Sequence, residues 1–188
     1  MRNFEKALAQ TLKNEGVVNG KTGYVNSKSD SGGETNYGIT KAKARECGYQ
    51  GKMCNLPYET AKQIYYNEFW KKTNAANMPN FNLAFFLFDF AVNSGVKQAI
   101  KHLQAALNKL FINNTNHLPL IIDGIAGNKT KTALMSIKDN YNEIIKLQSI
   151  LINERLRFYT GLSKTQFNEF GKGWINRIIS NIDFLMGV

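Results

Sequence analysis

The chain has 188 residues, of which 43% are hydrophobic, 12% aromatic and 20% charged. These values predict one large domain, or one with a small C-terminal addition, and they exclude disordered and fibrous proteins. Lysine and arginine total 24 against 14 acidic residues. The net charge of +10 favours a polyanionic partner such as nucleic acid, anionic lipid or a bacterial wall polymer, although surplus lysine can also serve solubility alone.

The first half of the chain predicts helices and a small β-hairpin lobe. Residues 4–15 have the period of an amphipathic helix, in which Glu15 lies on the same face as the apolar side chains. Gly16 is expected to end this helix. Residues 19–40 are rich in Gly, Ser, Asn, Asp and Thr, which predicts a loop or hairpin. Helical spacing resumes over residues 40–47, and another helix follows Pro57 and ends at Trp70.

The second half is predicted to be almost entirely helical. Residues 80–94 are apolar on nearly all sides, which is typical of a helix at the centre of a fold. Helical spacing continues to Leu110, residues 113–119 interrupt it, and residues 120–127 predict a short strand and a turn. Further helices extend to the C-terminus. The predicted fold class is therefore α+β, mainly α-helical, with a small β-hairpin lobe and a helical C-terminal part.

Two segments were candidates for a leader or a membrane span. Charged and polar residues interrupt positions 1–16 at short intervals, so this segment does not resemble a secretory signal. The longest apolar segment, Leu83 to Val92, contains Asp89 and is much shorter than the roughly 20 residues that a membrane span needs. We therefore expect no leader and no stable membrane insertion.

The cysteines and histidines do not predict a metal site. Cys47 and Cys54 are spaced neither as a zinc knuckle nor as a redox pair, and there are only two histidines. We expect two thiols, with a disulfide as the alternative if the protein works outside the cytoplasm.

Glu15 is a candidate general acid. A carboxyl group shielded from water has its ionised form disfavoured, which prepares it to donate a proton. The alternative interpretation is an ordinary glutamate at a helix end, turned toward solvent.

The loop after this helix offers polar groups that glycoside hydrolysis needs. That reaction uses one protonated carboxyl group for the leaving oxygen and a second group that stabilises the oxocarbenium ion or places a water. Asp30 and Thr35 are the candidates for the second role, and Gly33 lets the backbone approach a ligand closely. Glu34 is a rival for the second carboxylate. The same stretch is also an ordinary turn sequence.

Asp89 is a further carboxylate in an apolar helix. A buried aspartate that is paired or hydrogen-bonded is a common structural device. We therefore interpret Asp89 as structural, with Asn93 and Gly95 helping to end its helix.

These motifs resemble those of glycoside hydrolase family 108, the lysozyme-like N-acetylmuramidases of phage endolysins and related bacterial proteins. The resemblance covers nearly the whole chain. Its landmarks, in order, are Glu15-Gly16, Gly23-Tyr24-Val25-Asn26, Asp30 to Thr40, Phe69-Trp70, Asp89 to Gly95, Leu103-Gln104, Asp123-Gly124 with Gly127 and Thr130, Arg157 to Tyr159, and Gly171 to Trp174 with Arg177. One departure is an insertion of residues 17–22 where the family runs Glu-Gly-Gly-Tyr.

The resemblance implies a lysozyme-like catalytic region over 1–95 and a helical peptidoglycan-binding region over 96–188. It implies cleavage of the β-1,4 bond between N-acetylmuramic acid and N-acetylglucosamine in peptidoglycan glycan strands. Glu15 matches the catalytic glutamate, Asp30 the assisting aspartate and Thr35 the residue that orients water. The substrate-binding candidates are Tyr24, Gly33, Asn36 and Tyr37.

We expect this reaction to need no cofactor. The expected lack of a leader suggests that the enzyme reaches the periplasm or cell wall through a holin or a dedicated secretion apparatus. Two alternatives use the same scaffold: a non-catalytic wall-binding or secretion-associated protein, and a lytic transglycosylase, in which a single glutamate suffices. A nucleic-acid binder is disfavoured, because the basic residues are scattered along the chain.

Overall fold

The computed structural model describes residues 1–17, 22–26, 33–114 and 117–187. Its contacts divide the chain into two compact units, Met1–Glu68 and Phe69–Val188. The elements are mainly α-helices, with one three-stranded antiparallel sheet in the first unit, so the predicted fold class is confirmed. Every helix in the described residues is too short or too polar to span a lipid bilayer.

The first unit begins with helix α1, Arg2–Asn14. Its buried face carries Phe4, Leu8 and Leu12, at the spacing that the sequence predicts. Glu15 is the C-terminal cap of this helix, and Gly16 follows it at a φ of +80°. Because burial of the apolar face fixes the rotation of α1, it also fixes the direction in which the half-buried Glu15 side chain leaves the helix.

The predicted hairpin lobe is a sheet of three short strands, β1 (Val25–Asn26), β2 (Glu34–Asn36) and β3 (Ile39–Thr40), in that order. Thr35 pairs with a residue on each neighbouring strand, and only two residues, Tyr37 and Gly38, connect β2 to β3. Both have positive φ, +52° and +72°, as the tight type I′ hairpin turn requires.

Two helices complete the first unit. The Thr40 side chain accepts a hydrogen bond from the Lys43 backbone N–H and caps α2, Lys41–Glu46. A 3₁₀ turn over Met53–Asn55 leads to α3, Tyr58–Tyr65, which begins directly after Pro57. The helix reaches Trp70 as predicted, but it changes to π-helical winding over Tyr66–Trp70.

The second unit is built from α4 (Phe81–Ser94), α5 (Val96–Leu110), α6 (Asn128–Ser136), α7 (Tyr141–Thr160) and α8 (Lys164–Met186). Helix α4 is the buried helix that the sequence predicts, with nine buried side chains. Its N-terminus is capped by the Asn80 side chain, and Gly95 turns the chain into α5 at a φ of +87°. The apolar faces of α5, α6 and α7 share one core with α4.

The strand predicted over residues 120–127 is wrong. This segment contains no strand and makes its hydrogen bonds mainly to side chains instead. Gln104 on α5 donates to the Asp123 carboxylate at 2.8 Å and accepts from the Gly124 backbone N–H at 2.9 Å. Side-chain partners therefore replace the neighbouring strand that a β-structure would need.

Candidate active site

The β2–β3 turn lies directly against Glu15. A Cβ atom built on Gly38 would be 2.8 Å from Glu15 Cγ and 2.9 Å from Glu15 Oε2. Real Cβ atoms essentially never approach other atoms this closely, so position 38 has no room for a side chain. Gly38 is itself exposed while Glu15 is half-buried. The carboxyl group therefore lies beneath a turn that reaches the protein surface.

Tyr65 holds this turn in place. Its hydroxyl donates a 2.7 Å hydrogen bond to the Tyr37 carbonyl, and it lies 2.9 Å from the same Cβ position on Gly38. The Tyr65 side chain is buried, and buried tyrosine hydroxyls normally have a hydrogen-bond partner. A non-glycine residue at positive φ is strained, so the contacts around Tyr37 must compensate for its backbone conformation.

The sequence pattern does not distinguish Tyr65 or Gly38 as site residues. Tyr65 has the spacing of a core residue on α3, which gives no hint of its partner 28 positions earlier in the chain. The sequence feature that could have identified Gly38 is the pair Tyr37-Gly38, which lies between two short segments that contain apolar residues. This pattern is compatible with a two-residue hairpin turn.

Gly23 lies beside the end of α1. A Cβ atom on Gly23 would be 3.2 Å from the Glu15 carbonyl oxygen and 3.6 Å from the Val17 side chain. The Gly23-Tyr24 pair therefore lies next to Glu15-Gly16 in space, although the insertion separates the two pairs in the sequence. Residues 18–21 of the insertion lie outside the described residues.

Glu34, the rival second carboxylate, is held by two neighbours. It forms a 3.1 Å ion pair with Lys41 and accepts a 2.9 Å hydrogen bond from the Tyr24 hydroxyl. Hydrogen bonding from Lys41, and then from Tyr24, lowers the pKa of Glu34. The same contact with Glu34 raises the pKa of the exposed Tyr24. Glu34 is therefore an anion at neutral pH.

Asn36 and Thr35 point to opposite faces of the sheet, because side chains alternate along a strand. The Asn36 side chain is fully buried and donates a 2.7 Å hydrogen bond to the Met53 carbonyl, which joins β2 to the following 3₁₀ turn. Thr35 is half-buried in the central strand. The structure thus gives Asn36 an anchoring position in the interior.

The other loop candidates are placed only in part. Asp30 lies outside the described residues. Gly33 precedes β2 at a φ of +63°, with open space where a Cβ would be. The Tyr37 ring packs edge-on against Tyr58, with ring centroids 5.9 Å apart. Of the tyrosine candidates, Tyr24 is thus exposed and Tyr37 half-buried.

Asp89 has the structural environment that the sequence interpretation expects. It is fully buried on α4 and pairs with Arg177 at 2.8 Å and Arg155 at 2.9 Å, while Asn181 donates to it at 2.7 Å. Burial alone raises the pKa of Asp89, but the two arginines outweigh burial and lower it to about 2. A carboxylate held this firmly as an anion is a poor proton donor.

The thiols and metal-binding side chains are dispersed. Cys47 and Cys54 are both exposed, and no disulfide joins them. Within the described part of the chain, no three histidine, cysteine or acidic side chains cluster as metal ligands would.

Two family models and several solved structures match this chain. The model of the family "Glycosyl hydrolase 108" matches residues 8–95, and the model "Predicted Peptidoglycan domain" matches residues 98–179. No curated protein matches the sequence significantly. Among solved structures, that of Brucella abortus SagA is 30% identical with a TM-score of 0.73, and the match covers 97% of this chain and 94% of that one.

Proposed function

Because the chain belongs to the glycosyl hydrolase 108 family, and is thereby a glycoside hydrolase of peptidoglycan, we propose that it is an N-acetylmuramidase with Glu15 as its general acid. The bond to be cleaved is the β-1,4 bond between N-acetylmuramic acid and N-acetylglucosamine. One observation carries this proposal above the others: the Glu15 carboxyl group lies under an exposed turn that leaves it no room to move toward Gly38.

The proposed reaction begins with transfer of a proton from Glu15 to the glycosidic oxygen. The bond between that oxygen and the anomeric carbon of N-acetylmuramic acid then breaks, and positive charge develops on the sugar ring. Asp30 stabilises this charge or activates a water, and Thr35 orients the water that adds to the anomeric carbon. The water keeps one proton as the hydroxyl group of the new reducing end and gives its other proton to a carboxylate, either Asp30 or the deprotonated Glu15, while the leaving sugar departs with the proton that Glu15 supplied.

The substrate contacts are proposed on the surface of the sheet. Tyr24 is exposed, and its hydroxyl donates a hydrogen bond to Glu34 that anchors the tip of the ring at the sheet. Flat aromatic faces of this kind suit the packing of sugar rings. Tyr37 and Gly33 flank β2 on either side. We assign Asn36 the supporting task of holding β2 on the Met53 turn.

The product of the reaction tests this proposal. We expect purified protein to release fragments from isolated peptidoglycan that end in reducing N-acetylmuramic acid, as identified by mass spectrometry before and after borohydride reduction. Fragments with an anhydro end would identify a lytic transglycosylase instead. If the walls remain intact after long incubation, the protein would be a non-catalytic wall-binding protein. Reducing N-acetylglucosamine ends would show that the other glycosidic bond is cleaved.

The contact between the turn and Glu15 makes a second prediction. Gly38→Ala places a methyl group within 2.9 Å of the Glu15 carboxylate and of the Tyr65 hydroxyl, so both must shift or the turn itself must move. A displacement of about 1 Å can lower catalysis on the order of a hundredfold. We expect a loss of that size in the clearing of cell-wall suspensions, with Tyr24 and Glu34 still in place.

Gly48→Ala, at the end of α2 and outside the candidate site, is the matched control for Gly38→Ala. Both glycines have positive φ, so both alanines cost roughly 1–2 kcal/mol of backbone strain. Only Gly38 has neighbours within 4 Å of the new methyl group. We therefore expect similar small decreases in the thermal midpoint but a large loss of clearing for Gly38→Ala alone. Equal clearing by the two variants would refute a close contact with the catalytic carboxyl group.

A further inference from the structure

The second unit contains an open groove of about 970 Å³ whose lining shares no residue with the candidate active site. One wall is the C-terminal half of α5, another is the first half of α6, and residues from 111–114 and 117–122 form the third. Asn108 fixes this chain by donating to the Leu120 carbonyl at 2.9 Å and accepting from the Leu120 N–H at 2.7 Å. His117 stacks on Phe111 with ring centroids 3.9 Å apart. The groove is therefore held open by specific contacts, as preformed ligand sites are.

The surface of this groove combines aliphatic side chains with positive charge. Leu118 is 89% exposed, and Ile112 and Ile122 are exposed beside it. Exposed aliphatic groups gathered around a concavity mark interaction sites more often than isolated ones do. The described lining residues include Lys109 and Lys129 and no aspartate or glutamate.

The positive charge is concentrated at the start of α6. Lys109 is already paired with Glu154, so Lys129 and the N-terminus of α6 supply the uncompensated charge. No side chain caps this helix, and its first turn contains no acidic residue although an acidic residue there would stabilise the helix. The first turn of α6 therefore carries Lys129 and no acidic side chain. Such a helix N-terminus is complementary to the carboxylate of a ligand.

This chemistry fits a peptide better than a sugar. Sugar rings pack on exposed aromatic faces, but the aromatic rings among the described lining residues, Phe111 and His117, stack on each other. Peptidoglycan consists of glycan strands and short peptide stems, and the stems carry small aliphatic residues and several free carboxylates. Aliphatic walls with one cationic end are complementary to such a stem.

We propose that the groove between α5 and α6 binds the peptide stem of peptidoglycan, with Leu118 and Ile122 against its aliphatic groups and Lys129 with the α6 N-terminus against a carboxylate. The proposal rests on peptidoglycan being the substrate, as proposed above. In this proposal the second unit binds the peptide stems of the cell wall, while the first unit hydrolyses the glycan strands.

Calorimetric titration of the full chain with two soluble probes tests this proposal. One probe is a muramyl pentapeptide, and the other is a glycan fragment from which the peptides have been removed by an amidase. We expect the muramyl pentapeptide to bind and its affinity to fall with added salt, because a carboxylate contact at an exposed site is screened. Tighter binding of the stripped glycan, or equal binding of both probes, would overturn the proposal.

Two variants locate the binding. Lys129→Glu reverses the charge in the groove, and an acidic residue in the first turn of α6 is expected to stabilise that helix. Leu118→Asp changes a side chain that is almost fully exposed, so the fold should be retained. We expect each variant to weaken pentapeptide binding about tenfold or more, the effect of losing a charged hydrogen bond or an apolar contact. Lys146→Glu, on the exposed side of α7, is the matched control and should bind like the unchanged protein.

Hydrolysis is measured separately on stripped glycan strands, so that the two proposals can fail independently. Glycan cleavage together with pentapeptide binding that neither groove variant weakens would refute the groove and leave the proposed reaction intact. Pentapeptide binding that the groove variants abolish, without any cleavage of walls or glycan, would refute the reaction and leave the groove intact.

Discussion

Glu15→Gln is expected to abolish peptidoglycan hydrolysis, with a loss of roughly a thousandfold or more in the clearing of cell walls. A general acid contributes about 10²–10⁴-fold to a reaction rate, and an amide has no acidic proton to transfer to the leaving oxygen. Glutamine has nearly the shape of glutamate, so it fits the same half-buried position under the β2–β3 turn. The thermal midpoint should change little, because the loss is chemical and not structural.

The matched control for this variant is Glu34→Gln. Glu34 lies in the same sheet and also loses its charge, but glutamine keeps an oxygen that can accept from the Tyr24 hydroxyl. We expect Glu34→Gln to retain most of the activity, because Glu34 is engaged by Lys41 and Tyr24 in the resting protein. Undiminished clearing by Glu15→Gln would remove Glu15 from the mechanism. Loss of activity in both variants would make Glu34, in place of Asp30, the second carboxylate.

A comparison of Asp30→Ala with Glu34→Gln decides between the two carboxylates. If Asp30 assists the reaction, Asp30→Ala should reduce turnover by orders of magnitude and leave the thermal midpoint nearly unchanged. A large fall in the midpoint would indicate a structural task for Asp30 instead.

The placement of Glu15 followed from local rules in the sequence. The helical period of Phe4, Leu8 and Leu12 determines which face of α1 is buried, and Glu15 follows from that face and from the helix end at Gly16. The same rule identified α4 as a buried helix, because its apolar residues leave no polar face. Interactions within one helix are encoded within one segment and can be predicted from it.

The immediate environment of Glu15 could not be predicted in the same way. Gly38 and Tyr65 come from a hairpin turn and from α3, and their meeting with Glu15 depends on how three segments pack. Asn36 has the polar character of a ligand contact, but packing placed its side chain in the interior, on the Met53 carbonyl. In residues 120–127 the pattern of a strand was misleading, because Gln104 satisfies the backbone and no neighbouring strand is present.

The second large effect is expected for Asp89, this time on stability. Asp89→Asn removes the charge that Arg155 and Arg177 share, and both arginine side chains are at least nine-tenths buried. Breaking a buried ion pair by removing one partner typically costs about 3–5 kcal/mol, because the remaining charge stays buried without compensation. For a chain of this length each kcal/mol shifts the midpoint by roughly 2–4 °C. We therefore expect the thermal midpoint to fall by roughly 6–20 °C at neutral pH.

The effect of Asp89→Asn should depend on pH with a definite sign. The pKa of Asp89 is about 2 in the folded protein, below its ordinary value of 3.8, so its ionisation stabilises the fold at any pH above that ordinary value. The shift corresponds to about 2 kcal/mol. This contribution is lost as the pH falls from about 4 to about 2. The difference in midpoint between the unchanged protein and Asp89→Asn should therefore be constant from pH 5 to pH 7 and shrink steadily below about pH 4.

Asp139→Asn is the control, because Asp139 is exposed and its substitution should change stability by no more than about 0.5 kcal/mol. Hydrolysis by the Asp89→Asn variant is measured at a temperature well below the thermal midpoint of that variant, where it is folded. A structural Asp89 predicts nearly normal activity there together with a much lower midpoint. Loss of activity with an unchanged midpoint would instead place Asp89 in the catalytic machinery, and the two arginines would then tune a reacting group instead of holding α4, α7 and α8 together.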